Sequence, residues 1–269
     1  MARLRPVQHD EHLSLVEHLD ELRSRIIVCG AVLLVAVALC FWQNSVLLEI
    51  ANWPLPADGD DALGQKEPIT FGVTEPFLTT VTLSFYAGLL LAMPVLLYQA
   101  YAYILPAFHP QERRVVLPFL LMVPVLFIAG VVFAYFVVVP AATQFLLNFN
   151  DDEFNIQIRA REYYSFFALT LISLGILFQI PVGVLAVTRL GIVTPDQLAQ
   201  NRRYAILAIA VIAMLLPGTD PVTMLISMVP LYVLFEFSLV LARAFGQPQS
   251  ELDEEPEVGG PEAPAGRTG

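Results

Sequence analysis

The sequence is poor in charged residues. Only 14% of its 269 residues are Asp, Glu, Lys or Arg, whereas 57% are hydrophobic. An ordinary soluble domain has about 25% charged residues, and the apolar runs here are too long and too frequent for a soluble core. This composition excludes an ordinary soluble domain and predicts a multi-pass membrane protein. The net charge of −11 is concentrated toward the C-terminus, where six acids lie between Glu251 and Glu262.

Cysteine and histidine are scarce as well. Cys29 and Cys40 both lie in the first apolar run, and a helical separation of about 16 Å excludes a disulfide between them. Three of the four histidines precede that run, and His109 lies in a loop. The chain has no H-E-x-x-H motif, no G-x-S-x-G motif and no intramembrane Asp pair. The sequence therefore points to no metal, no cofactor and no enzymatic activity.

Apolar segments predict an all-α membrane protein with six transmembrane helices. The fifth is short, about 20 Å if helical. Prolines inside the segments predict kinked helices, which a membrane protein tolerates when neighbouring groups satisfy the freed carbonyls. The segments are 26–47, 80–104, 115–139, 166–188, 204–216 and 222–244, and the prolines are Pro94, Pro118, Pro124, Pro181 and Pro230.

Basic residues predict the orientation in the membrane. Eleven of them lie at the termini and in one set of loops, whereas the opposite loops contain only Lys66, Arg159 and Arg161. The positive-inside rule then places both termini in the cytoplasm. The external side is expected to hold a first loop at 48–79 that folds as a cap, a second at 140–165 and a tight turn at 217–221.

The predicted membrane domain comprises residues 1–245. The capping-box spacing of Ser14 and Glu17 predicts that a helix begins near residue 14. This helix continues into the first span without a cleavable signal peptide, and it holds Glu21 just above the membrane surface. Residues 246–269 are rich in Pro, Gly and Glu and predict an acidic, disordered cytoplasmic tail.

Two acidic residues, Glu21 and Glu112, are predicted at the same depth on the cytoplasmic side. Interfacial anchoring accounts for Arg113, Arg114 and the nearby tyrosines, and Glu112 alone is compatible with a surface ion pair. Two carboxylates at a partly dehydrated interface could, however, each bind one guanidinium of a paired-arginine ligand, a geometry that lysine does not reproduce.

The sequence resembles the TatC family, the receptor subunits of twin-arginine protein translocases, over residues 13–244. The order and spacing of several motifs together make the resemblance specific. These motifs are His18-Leu19-Asp20-Glu21-Leu22-Arg23, Leu97-Tyr98-Gln99, Pro106-Ala107-Phe108, Glu112-Arg113-Arg114, Phe133-Ala134-Tyr135-Phe136, Tyr164-Ser165-Phe166, Gly191-Ile192-Val193, Pro230-Leu231-Tyr232 and Phe235-Glu236.

The resemblance implies a glove-shaped fold with a concave face in the bacterial cytoplasmic membrane. It implies that the chain binds twin-arginine signal peptides of folded cargo and assembles, in several copies, with single-span TatA and TatB type partners. Transport would be driven by the proton-motive force, and no nucleic acid is involved. The implied signal-peptide-binding residues are Glu21, Glu112, His18, Leu22, Arg23, Tyr103, Arg113 and Arg114, and the implied functional residues of the external loops are Pro54, Glu75 and Asp220.

Gln179 departs from the family pattern, in which glutamate is frequent at this position. A polar side chain this deep in a span is a functional-site candidate. The alternative is a structural hydrogen bond to the carbonyl freed by Pro181 or to another helix. Glutamine excludes a charged role but retains a hydrogen-bonding role toward a partner helix or passing cargo. Near the end of the sixth span, Glu236 and Arg243 are expected to form a structural pair.

Two other classes of function are a small-solute transporter and an intramembrane protease. A small-solute secondary transporter would need a charged midplane site and usually an internal repeat, and the chain has no convincing repeat. An intramembrane protease would need a nucleophile and a base facing each other within the spans. The sequence favours a receptor and assembly scaffold over both.

Overall fold

The computed structural model describes residues 15–55, 68–104, 113–150, 152–154, 156–189, 191–217 and 220–245. Three predicted features lie outside these ranges: the cap residue Ser14, the acidic residue Glu112 and the tail at 246–269. Within the described ranges the regular structure is helical, apart from one isolated bridge between Ile69 and Arg159.

Ten α-helices and one π-helical turn follow one another along the described part of the chain. Helix α1 begins in the N-terminal lead and continues directly into the first apolar run, as predicted. The helices are α1 Leu15–Trp42, α2 Asn44–Asn52, α3 Glu75–Ile104, α4 Arg113–Phe133, the π-helical turn Ala134–Val138, α5 Val139–Leu147, α6 Ala160–Leu177, α7 Ile180–Arg189, α8 Pro195–Gln200, α9 Arg202–Met214 and α10 Pro221–Phe245.

Five helical stretches of the described chain are long and apolar enough to cross a membrane. They are Leu19–Trp42, Glu75–Tyr103, Met122–Leu147, Ala160–Arg189 and Pro221–Ala244. The predicted fifth span forms helix α9, whose 13 residues fall below this length. The structure therefore supports five spans by length and composition, and the six-span arrangement stays a prediction.

The spans are interrupted at specific residues. Helix α6 ends at Leu177 and α7 begins at Ile180, beside Pro181, which has no N–H to donate to the carbonyl four residues earlier. The predicted kink at Pro181 is thus a break. The π-helical turn joins α4 to α5, so this helical stretch extends to Leu147. The second loop consequently begins later, and ends earlier, than the predicted 140–165.

Glycines allow close packing between the spans. A Cβ added to Gly88 of α3 would lie 2.7 Å from the backbone N and Cα of Val37 in α1. A Cβ added to Gly130 of α4 would lie 2.8 Å from the carbonyl oxygen of Leu174 in α6. These approaches hold α1 against α3 and α4 against α6, while many apolar side chains remain exposed on the outer surface, as expected for helices that contact lipid.

Candidate functional site

An arginine joins α1 to α3 at the end of the helices where Glu21 lies. Arg25 donates through Nε to Glu21 at 3.1 Å and through Nη1 to the side-chain oxygen of Gln99 at 2.8 Å. Its Nη2 also donates to Glu21 and to the carbonyl of Ala102 at 3.4 Å. The Glu21 carboxylate is partly buried, with a side-chain exposure of 31%. Arg25 lies in α1 and also bonds to two residues of α3, so it is held between the two helices. The Glu21 carboxylate therefore already binds one positioned guanidinium.

The other residues predicted at this end are described to different extents. Leu22 is half-buried, Arg23 is exposed and Tyr103 is half-buried with an interaction partner. His18 lies in α1, and Arg113 and Arg114 are the first two residues of α4. Glu112 lies outside the described residues, so its position relative to Glu21 stays a prediction.

Gln179 is buried at the break between α6 and α7. Its Nε2 donates to the carbonyl oxygen of Val123 in α4 at 3.1 Å, whereas its Oε1 has no partner in the described part of the chain. The structure thus shows the bond to another helix rather than a bond to the carbonyl freed by Pro181. The buried Oε1 is thus an acceptor without a donor, which is costly unless a donor reaches it.

The predicted residue Pro54 belongs to a set of contacts that hold α2 on α5 and α6. Pro54 is buried, and its carbonyl accepts from the Thr143 hydroxyl at 3.3 Å. Tyr163 donates to the Ala51 carbonyl at 2.6 Å, and Tyr164 donates to the Asn52 side chain at 3.0 Å. These bonds fix the described start of the first loop.

Glu75 lies at the first residue of α3, where it connects the first and second loops. Its Oε2 accepts from the backbone N–H of Phe71 at 2.9 Å and of Gly72 at 3.2 Å. Its Oε1 accepts from Arg159 Nε at 2.8 Å. This hydrogen bond raises the pKa of the Arg159 guanidinium above its ordinary value. The adjacent bridge, with Ile69 N donating to Ile158 O at 2.8 Å, holds the two loops together.

Asp220 caps the last helix. It precedes Pro221, the first residue of α10, and its Oδ1 accepts from the Thr223 backbone N–H at 2.7 Å. Its Oδ2 accepts from the Thr223 hydroxyl. Asp220 therefore occupies an N-cap, a position in which a carboxylate satisfies an unpaired backbone donor. This contact gives Asp220 a structural role.

The expected pair between Glu236 and Arg243 is wrong. Glu236 instead pairs with Arg202 of α9 at 3.0 Å, and Arg243 pairs with Asp196 of α8 at 3.4 Å. Both pairs join α10 to α8 or α9. They form because α8 and the start of α9 lie beside the C-terminal half of α10, where the charges are opposite.

Sequence reasoning missed the partners of Glu21 and Glu75. The four-residue spacing of Glu21 and Arg25 is a signal for a helical ion pair, whereas Glu75 and Arg159 are separated by 84 positions and the sequence contains no signal for their contact. Among the described residues there is also no group of three or more His, Cys, Asp or Glu side chains placed to hold a metal ion.

The long apolar helices and the small number of charged residues define a multi-pass helical membrane protein. A family model for the Sec-independent protein translocase protein TatC matches residues 17–230. The chain belongs to the TatC family and is therefore a component of a protein translocase, a transport subunit of the bacterial inner membrane rather than a catalytic enzyme.

Similar proteins extend over most of the chain. The Sec-independent protein translocase protein TatC of Deinococcus radiodurans is 35% identical over 243 residues, covering 90% of each chain. The TatC of Escherichia coli (strain K12) is 33% identical over 232 residues, covering 86% of this chain and 88% of its own. A crystal structure of the twin-arginine translocase receptor TatC in DDM matches with a TM-score of 0.72 and 32% identity, covering 86% of this chain and all of its own.

Proposed function

We propose that this chain is the receptor of a twin-arginine translocase, which binds the signal peptides of folded cargo at the end of the molecule that holds Glu21. The observation that carries the proposal is the bond between Arg25 and Glu21. It demonstrates a guanidinium bound to a partly buried carboxylate at the junction of α1 and α3. A signal-peptide arginine would either replace Arg25 there or bind the free side of the same carboxylate, and Glu112 would bind the second arginine.

The proposed orientation places this end, and both termini, in the cytoplasm. The excess of arginine at this end supports it. Helix α9 is then the fifth of six spans, and it crosses the membrane although it is short. In this arrangement the loops that contain Pro54, Glu75 and Asp220 are external, the helices form a concave face, and residues 246–269 are a cytoplasmic tail.

The proposed partners are TatA and TatB type single-span proteins, assembled in several copies and driven by the proton-motive force. The broad apolar surface of the described helices supports contacts with other membrane helices. Gln179, with its unsatisfied Oε1, is the proposed polar contact for a partner helix. The small-solute transporter alternative is not favoured, because the family is one of protein translocases.

The test is binding of a twin-arginine signal peptide to the full chain in lipid nanodiscs, with a twin-lysine peptide as control. We expect the arginine peptide to bind and the lysine peptide to bind at least about tenfold more weakly, because lysine lacks the planar fork. Glu21→Gln and Glu112→Gln should each weaken binding. Glu49→Gln removes an exposed carboxylate in α2, at the opposite end, and should have no effect.

Arg25→Gln tests how Arg25 acts. Tighter binding would show that Arg25 competes with the signal arginine, whereas weaker binding would show that it positions Glu21. If the arginine and lysine peptides bind equally, or if Glu49→Gln weakens binding as much as Glu21→Gln, the proposed receptor site is wrong.

A further inference from the structure

A cavity of about 680 Å³ opens where α3 and α6 begin, at the end opposite Glu21. Its size lies in the range of roughly 300–1,000 Å³ that is typical of small-molecule sites. Glu75 begins one candidate span and Ala160 begins another, so the cavity lies at the depth where a membrane passes from headgroups to hydrocarbon. None of the described residues proposed to bind the signal peptide lines this cavity.

Among the described residues, one of the charged side chains that line the cavity is an unpaired cation, because Arg159 pairs with Glu75 at 2.8 Å and with Glu162 at 3.3 Å. Arg159, Arg161 and Glu75 line the cavity. The Glu75 carboxylate is fully engaged by Arg159 and by two backbone N–H groups. Arg161 is exposed and, within the described chain, has no ionic or hydrogen-bonding partner. One guanidinium is therefore available to an anion.

Hydroxyl groups line the cavity below the arginines. The Thr79 side chain is buried, with the residue 7% exposed, and its Oγ1 has no partner among the described residues. Thr82 and Ser165 add two further hydroxyls to the wall. A buried hydroxyl without a partner is costly unless a ligand or water bonds to it, so a ligand in the cavity that accepts from the Thr79 hydroxyl would relieve this cost.

The deeper wall of the cavity is mostly apolar. Leu83 and Tyr86 line it, and Tyr86 lies about 16 Å along α3 from Glu75 at 1.5 Å per residue. Leu78 and Thr82 are exposed on the outer surface of α3, beside the exposed Phe85. A molecule in the bilayer could therefore enter from the side. The cavity thus changes from cationic to hydroxyl-lined to apolar in the direction of the membrane interior.

We propose that this cavity binds the phosphate group of a membrane phospholipid, with Arg161 on the phosphate, the Thr79 hydroxyl donating to an ester or phosphate oxygen, and the acyl chains along Leu78 and Leu83. A phosphodiester supplies one negative charge and several acceptor oxygens, which match the available guanidinium and hydroxyls. Its attached chains match the apolar wall. Free inorganic phosphate shares the anionic chemistry but not the apolar part.

The test is native mass spectrometry of the purified full chain in detergent, titrated with phosphatidylglycerol. We expect a bound lipid that is weakened about tenfold or more by Arg161→Gln, because one charge-assisted bond is lost. Thr79→Val should also weaken binding, while leaving the thermal stability of the lipid-free protein unchanged or higher, because an unsatisfied buried hydroxyl is removed.

Matched controls decide the assignment. Arg203→Gln removes an exposed arginine at the opposite end, and Thr80→Val removes a hydroxyl that bonds the Pro76 carbonyl at 2.9 Å instead of lining the cavity; both should bind lipid as the wild type does. The proposal is overturned if diacylglycerol binds as well as phosphatidylglycerol, or if Arg161→Gln and Arg203→Gln weaken binding equally. Displacement of the lipid by inorganic phosphate at equal concentration would instead assign a free-anion site and overturn the lipid assignment.

Discussion

Two tyrosine hydroxyls bond to neighbouring carbonyls of α2, and they differ in burial. Tyr163 is buried and donates to Ala51 O at 2.6 Å, whereas Tyr135 is half-buried and donates to Ile50 O at 3.0 Å. The Ala51 carbonyl has no access to solvent, since Ala51 is fully buried. Loss of the two hydroxyls should therefore have unequal effects, although each removes one bond to the same helix.

We predict that Tyr163→Phe lowers the free energy of unfolding by about 1–3 kcal/mol, because it leaves a buried acceptor without a donor. Tyr135→Phe should have a smaller effect, because solvent can reach its partner. Thermal unfolding of the two variants in the same detergent measures the difference. Equal destabilisation would show that the burial of the acceptor does not control the cost.

At Gln179, a carboxyl group is predicted to be less favourable than an amide. The Gln179 amide donates to the Val123 carbonyl in a buried site, and a carboxylate in Gln179→Glu would instead place negative charge beside that oxygen. Only the protonated acid could donate there. The melting temperature of Gln179→Glu should therefore fall below that of the wild type as the pH rises, and approach it in acid.

Gln179→Leu, measured in the same melting experiment, separates the effect of losing the hydrogen bond from the effect of adding a charge. It removes the bond to Val123 and also the unsatisfied Oε1, so its effect on the melting temperature should be smaller than that of Gln179→Glu at neutral pH and should not depend on pH. If the glutamate variant is as stable as the wild type at every pH, the site is wetter or richer in donors than its described contacts indicate.

For individual residues, the sequence predicts which side chains matter more readily than what those side chains contact. Glu21, Glu75 and Asp220 could be selected from their motifs. The i,i+4 bond from Arg25 to Glu21 could also have been predicted, because it is local. The contacts of Arg25 with Gln99 and of Arg159 with Glu75 join residues 74 and 84 positions apart, and only the packing of the helices brings these residues together.

Among the helices, the contact between α1 and α3 depends on Gly88. A methyl group at this position would overlap the backbone of Val37, which cannot move without shifting the helix. We predict that Gly88→Ala destabilises the protein by about 1–3 kcal/mol through overpacking. Gly30, on α1, has no atom within 4 Å of an added Cβ, so Gly30→Ala should leave stability unchanged or slightly raise it.

The same pair of variants also tests the Arg25 contact. Because Arg25 reaches Gln99 only when α1 lies against α3, Gly88→Ala should also weaken signal-peptide binding, whereas Gly30→Ala should not. Thermal unfolding and peptide binding, measured on the same samples, would show whether the two effects occur together. A stable Gly88→Ala protein would contradict the close approach of α1 and α3.

Proline predicted the helix breaks only in part. Pro181 marks the break between α6 and α7, but α3 and α10 continue through Pro94 and Pro230. A proline inside a membrane helix frees the carbonyl four residues earlier, and neighbouring groups can satisfy that carbonyl without a break in the helix. The π-helical turn at Ala134–Val138 has no proline and no distinctive composition. It could not be predicted, because one extra residue per turn leaves almost no trace in the hydrophobic pattern.

For the whole molecule, the main difference between prediction and structure is the length of α9. An apolar pattern predicted a span there, and the structure contains a helix at nearly the same residues. At 1.5 Å per residue its 13 residues measure about 20 Å, against roughly 30 Å of hydrocarbon. If α9 crosses the membrane, as proposed, the bilayer beside it must thin or the helix ends must be pulled inward.

If the chain has the proposed function, local thinning of the bilayer beside α9 would lower the barrier to passage of a folded protein. Insertion of four apolar residues into α9, about one helical turn, should relieve the mismatch and therefore impair cargo export while leaving signal-peptide binding intact. A control that replaces Leu207, Val211 and Met214 with other apolar residues keeps the length of α9 and should export normally. Export is measured in cells that depend on this chain, and binding is measured in nanodiscs. Normal export by the lengthened protein would show that the short helix does not act through the thickness of the bilayer, and loss of signal binding would show that the insertion disturbs the fold instead.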